Sequence, residues 1–128
     1  IRDVFLCLGV MLLGSLCLLA WMRWLGWEWN FINLFAVPLL FGVGVDFAIH
    51  MIFSLRRVGG DMPAIRRGIR KAMVFCALTT AAGFGSLSFA SNDGLASLGR
   101  VCAVGIIIAM IFSVYFLPQW WLFLHRKR

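Results

Sequence analysis

The chain has 128 residues, 62% of them hydrophobic and 13% charged, with a mean hydropathy of +0.95. Those values lie outside the range of ordinary soluble domains. The net charge of +7 would suit a nucleic-acid partner, but the cations flank apolar blocks instead of forming a patch, so that class is excluded too.

Four blocks are apolar over the length that crosses a hydrocarbon core, about 20 helical residues. They are Val4–Met22, Phe31–Ser54, Ala72–Ser91 and Val101–Leu124. Open loops and sheet edges cannot face lipid, so each block is expected to be a helix. The expected fold class is an all-α integral membrane domain of four spans, a single unit over 1–128, with a cytoplasmic linker at 55–71. The first block is too long and wrongly flanked for a signal peptide, and the chain reads as a piece of a longer protein.

From the end of the first block into the loop after it, Trp21, Trp24, Trp27 and Trp29 mark one membrane boundary, and Trp120 and Trp121 mark the other. With both ends in the cytoplasm, ten of the twelve Lys and Arg residues fall inside. Only Arg23 and Arg100 fall outside, the asymmetry expected of a cytoplasmic-membrane protein.

The second block holds the main anomaly. In FGVGVDFAIHM (residues 41–51), Asp46 interrupts an apolar run in which His50 is the only other ionisable residue. One aspartate near a bilayer centre costs about 2.5 to 3.5 kcal/mol, so it calls for a reason. Gly42 and Gly44 precede it and suit close helix packing; Phe47 breaks the pattern of a phosphate-binding glycine loop. Pro38 frees the carbonyl of Leu34.

In the connection that follows, Gly59-Gly60 ends the second helix, and Asp61 with Pro63 starts another. Met62, Ile65 and Ile69 would share one face opposite Arg66, Arg67, Arg70 and Lys71, giving a short basic amphipathic helix on the inner leaflet. In the third block eleven of the fifteen residues from Ala77 to Ser91 are Gly, Ala, Ser or Thr. Gly83 and Gly85 are the packing candidates there, and the helix is expected to be central. Asn92-Asp93-Gly94 reads as a turn in an outer loop of roughly Asn92–Gly99.

Asp46 lies eight residues before Ser54, and Thr80 eight after Ala72. Antiparallel helices would therefore hold Asp46 level with Thr79 and Thr80, with His50 one turn nearer the cytoplasm. These four residues are the proton-relay candidates. Cys7, Cys17, Cys76 and Cys102 lack metal-ligand spacing, so no metal or other cofactor is indicated, and they read as buried small hydrophobes. No nucleophile–base pair suggests an enzyme.

Two stretches resemble a known family. GVGVDFAIH, with LTTAAGFGSLSFASNDGLASLG and a closing YFLP, resembles the lipid-handling branch of the RND superfamily (MMPL exporters, hopanoid transporters, Patched and related sterol-sensing-domain proteins). The resemblance covers nearly the whole chain. It implies the last four helices of a six-helix half, and the terminal HRKR suggests the second half. It also implies a partner half, large extracytoplasmic domains, a lipidic or hydrophobic substrate and a proton-relay role for Asp46. Self-association into a homo-oligomer is compatible with it. Phe47 stands where many members carry tyrosine, leaving water, His50 or the threonines as donors. A lipid-sensing module without transport and a structural half-repeat are the rival readings.

The charge map predicts that cysteines introduced near Trp27 and Asp93 react with an impermeant reagent from outside. Those near Gly60 and Lys127 should react only from inside, and an outward-facing Gly60 would overturn the topology.

Overall fold

A computed structural model describes residues 1–28, 30–59 and 61–125, without the side chains of residues 66 and 125. Helix α1 (Arg2–Trp24) leads through a loop and a 3-10 turn (Phe31–Phe35) into α2 (Ala36–Arg57). The short α3 (Met62–Arg67) runs into α4 (Ile69–Ser86), which tightens into a 3-10 turn at Leu87–Phe89. Helix α5 (Asp93–Ile111), a π turn (Phe112–Phe116) and α6 (Leu117–His125) form one continuous last span. The described residues are helices, turns and short loops, with no strand among them. Four segments are long and apolar enough to cross a membrane: Arg2–Trp24, Phe31–Arg57, Met62–Phe89 and Asp93–Leu124.

The last span starts earlier than its hydropathy suggests. Asn92 is a cap, not a loop residue: its side chain accepts from the N–H groups of Gly94 at 2.9 Å and Leu95 at 3.4 Å. Such a cap satisfies orphan amides of the first turn, and Asp93 beside it suits the positive end of the helix dipole. The outer loop expected at Asn92–Gly99 is therefore mostly helix, and Arg100 lies within α5. Near the other end Pro118 has no N–H to offer the Val114 carbonyl. The ladder adjusts locally, and the Leu117 amide bonds the Phe112 carbonyl five residues back. Pro38 falls in the first turn of α2, where the missing N–H matters least.

Helix α5 is the centre of the bundle. Val101, Cys102, Ile106 and Met110 pack against Val10 of α1, Leu40 and Phe47 of α2, and Ala77 of α4 in one core. Close approach occurs at glycines. A Cβ at Gly44 would sit 2.5 Å from Met11 Sδ, and one at Gly105 would sit 2.5 Å from Leu40 Cδ1. At Gly99 the obstacle is backbone, with the Phe84 carbonyl oxygen 2.6 Å away. Around Gly42, Gly83 and Gly85 nothing lies within 4 Å. Of the four glycines expected to pack helices, only Gly44 does so within this chain.

The third span is not central here. Helix α4 buries Met73, Ala77 and Ala81, while Phe75, Leu78, Thr79 and Gly83 face outward. Its small residues are divided between an inner face, Ala77 and Ala81, and an outer one, Thr79, Ala82 and Gly83. The basic segment also differs from expectation. Ile65 is 2% exposed and belongs to the core with Leu55 and Met73, and Met62 and Ile69 pack against it. The apolar face of α3 thus plugs one end of the bundle, because the ends of α2 and α4 leave apolar surface there to cover. Gly59, at φ +58°, makes the turn before it. Gly60, Trp29 and residues 126–128 lie outside the described residues. Cys7 and Cys102 are buried, whereas Cys17 and Cys76 are exposed. Near the end of the last span Trp121 is buried in the core, while Trp120 beside it is exposed.

Gly99→Ala should destabilise the protein by about 1–3 kcal/mol, since a methyl group there meets backbone that cannot rotate away. Gly105→Ala should cost less, because the Leu40 side chain can change rotamer. Thermal unfolding of the two variants in detergent tests the order, and equal costs would show that the α4–α5 contact is soft.

Candidate functional site

Asp46 sits midway along α2. At 3.6 residues per turn the buried residues Leu40, Gly44, Phe47, Ala48, Met51 and Leu55 form one stripe facing α1 and α5. Gly42, Asp46, Ile49, His50 and Phe53 form the opposite stripe, and all five are exposed. The carboxylate is therefore directed away from the core of these four spans. His50 follows one turn later on the same stripe, and its carbonyl accepts from Ser54 Oγ at 2.6 Å.

The threonines are divided between two sides of α4. Thr79 is exposed on the stripe that carries Cys76 and Gly83, and Thr80 is half-buried beside Ala77 and Phe84. Both hydroxyls donate to their own helix. Thr79 Oγ1 reaches the carbonyls of Phe75 at 3.0 Å and Cys76 at 2.9 Å, and Thr80 Oγ1 reaches that of Cys76 at 2.8 Å. Their lone pairs stay available, but their protons are in use. Among the described residues, no hydrogen bond or ion pair joins Asp46 to His50, Thr79 or Thr80. The expected depth match brings no hydrogen bond, and α2 and α4 each pack mainly against α5, with little contact between them.

Other polar contacts were not singled out from the sequence. At one end of the bundle Arg56 pairs with Asp3, linking the start of α1 to the end of α2. At the same end the Arg70 guanidinium lies 4.0 Å above the Tyr115 ring, linking α4 to the π turn. At the opposite end Asn33 is fully buried, and its Nδ2 donates to the Glu28 carbonyl at 3.3 Å and to Ser97 Oγ at 2.9 Å. A lone asparagine opening an apolar span was the available signal for the last of these. Ser97 was hidden by the loop reading. No group of three or more His, Cys, Asp or Glu residues that could hold a metal occurs among the described residues.

An aspartate and a histidine on the outer stripe of a membrane helix can be compared with known proteins. A profile of the MMPL family matches residues 3–127. The hopanoid transporter HpnN of Burkholderia multivorans is 33% identical over 116 residues, covering 91% of this chain and 13% of that protein. HpnN of Rhodopseudomonas palustris is 38% identical over 89 residues, covering 70% of this chain and 10% of that protein. The matched stretch is thus only about a tenth of each of these two transporters. No solved structure matches it. With the profile covering nearly every residue and four spans in place, the chain is a multi-pass membrane segment that belongs to the MMPL family.

Proposed function

We propose that this chain is part of the membrane portion of a proton-coupled exporter of lipids or other hydrophobic molecules, with Asp46 in its proton-relay site. The observation that carries the reading is the outward placement of Asp46. A carboxylate facing hydrocarbon would bear the insertion cost with nothing to offset it. Facing a second bundle across a hydrated seam, it has water and partner groups. Burial raises a carboxylate's affinity for its proton and a nearby donor or cation lowers it, so such a seam can bring loading and release near neutral pH.

The open surroundings of Gly42, Gly83 and Gly85 support the same arrangement. With His50 and Thr79 they would face the other six-helix half, which brings the groups that this chain lacks. Thr80 tunes the site from behind. The extracytoplasmic domains would handle the substrate, and the domain would sit in the cytoplasmic membrane with both ends inside. The relatives named for hopanoid transport favour a lipidic substrate.

In the full-length protein, Asp46→Asn should abolish transport driven by a proton gradient while leaving insertion and folding intact. Asparagine keeps size and hydrogen bonding but cannot titrate. Asp46→Glu should retain partial activity with a shifted pH dependence, and Thr80→Val should be milder than either. Near-normal transport by the asparagine variant, normalised to folded protein, would overturn the relay.

Packing gives a separate test. Gly83→Leu should impair assembly of the full-length protein, because a leucine there would hold the second bundle away. The same substitution should leave the helicity of the four-span segment unchanged, since it meets nothing inside it. Normal assembly of the Gly83→Leu variant would remove α4 from the inter-bundle seam.

A further inference from the structure

The last span changes its winding at one place. Residues Phe112–Phe116 form a π turn, with α5 before it and α6 after it. Such a turn amounts to one extra residue in an α-helix, and it recurs at functional sites. Pro118 accounts for it here. In an α-helix the proline ring would meet the Val114 carbonyl, and the wider turn moves the two apart.

The turn leaves a hydroxyl unmatched. Ser15, Ser54, Thr79 and Thr80 each donate to the carbonyl four residues back on their own helices. Ser113 is fully buried, and its hydroxyl has no partner among the described residues. In an α form of the turn it would stand over the Ala109 carbonyl, as the other four stand over theirs. The π form thus carries a buried, unmatched hydroxyl and the α form a proline clash. The two penalties are of similar size, which sets the forms close in free energy.

The side chains suit both forms. With α5 held fixed, loss of the extra residue moves each residue of α6 into the place of the one after it, a turn of about 100°. Phe116, Leu117, Trp120 and Trp121 would then take the places of Leu117, Pro118, Trp121 and Leu122. One tryptophan replaces another in the buried slot of Trp121. Gln119 takes the exposed place of Trp120 and stays outside in both forms. Side chains that leave the core enter hydrocarbon, which is as apolar as the core itself. A small crevice beside the turn, lined by Gly14, Ala109, Phe112 and Ser113, gives it room to rewind.

We propose that Phe112–Phe116 is a two-state turn, whose π form exchanges with an α form that advances α6 by one residue against α1 and α2. Arg70 holds the π form. Its guanidinium lies over the Tyr115 ring, and rewinding would swing that ring away from α4. The exchange turns the end of the last span while the core around Ile106 stays in place. It does not rest on the reading of Asp46 and would stand if that carboxylate proved silent.

The test uses the full-length protein in nanodiscs, with spin labels on Gln119→Cys and Phe75→Cys, both at exposed positions. Reactive native cysteines, Cys17 and Cys76 among them, are replaced first. Pulsed electron–electron double resonance then reads the distance between α6 and α4. The otherwise unaltered sequence should give one main distance. Pro118→Ala lifts the clash that opposes the α form and should raise a second distance, several ångströms away, about 10-fold in population. Adding Ser113→Ala should reverse most of that gain, because the α form then has no hydroxyl to match. Arg70→Gln alone should raise the same second distance, and it decides the matter if Pro118→Ala does not fold. One unchanged distance in the Pro118→Ala and Arg70→Gln variants would overturn the two-state turn. A second distance that Ser113→Ala leaves in place would overturn the pairing of Ser113 with Ala109.

Discussion

Hydrocarbon supplies no hydrogen-bond partners, so every backbone amide and carbonyl that crosses it must be matched within the protein. That demand explains the places where these helices depart from regularity. Pro118 removes a donor near the end of the last span, and the chain answers with a π turn and the Leu117 to Phe112 bond. Asn92 caps α5 with its side chain, so the helix can begin at Asp93 with its first amides satisfied. A 3-10 turn precedes α2 and another ends α4, tightening the ladder where the spans meet their loops.

The same medium sorts the polar side chains. Asp3, Arg56, Arg70 and Tyr115 are paired at one end of the bundle, and Asn33 and Ser97 at the other. Between these ends, Ser15, Thr79, Thr80 and Ser86 donate their hydroxyls to carbonyls of their own helices. Asp46, a mid-span carboxylate, has no intrachain partner among the described residues, and neither does the buried Ser113 hydroxyl. The surroundings of Asp46 are therefore incomplete in this segment, in keeping with a chain that spans so little of its relatives.

Fold class and span number were legible because they follow from apolar run length, which the bilayer thickness sets directly. Span ends were less so. Hydropathy cannot distinguish a turn from a capped helix start, and Asn92-Asp93-Gly94 has the composition of both. Placing the third span at the centre confused small-residue content with burial within this chain. Smooth faces show that a partner comes close, not whether that partner belongs to the same segment. Gly99 was missed because it fell in the stretch read as an outer loop, and Gly105 because it stands in an apolar run, whereas Gly42 and Gly44 stand beside Asp46. The stripe shared by Asp46 and His50 follows from helical spacing alone. Contact with Thr79 and Thr80 was beyond reach, since depth matching fixes level but not which helix stands between.

Helix α2 ties these points together because its two faces meet opposite demands. One face carries Asp46 and has room for a neighbour. The other is closely packed, with the end of the Met11 side chain against Gly44 and that of Leu40 against Gly105. Interiors packed this closely do not deform continuously; they move as units between discrete arrangements. On the proton-coupled reading, a change of charge at Asp46 cannot be absorbed by sliding α2 against α1 and α5. It must shift the three helices together against whatever bundle covers the Asp46 stripe. The contact that gives way is then the open one, around Gly42, where nothing within this chain opposes the motion. Tight glycine contacts on the inner face and free glycines on the outer face would direct the work of the proton to the seam between bundles.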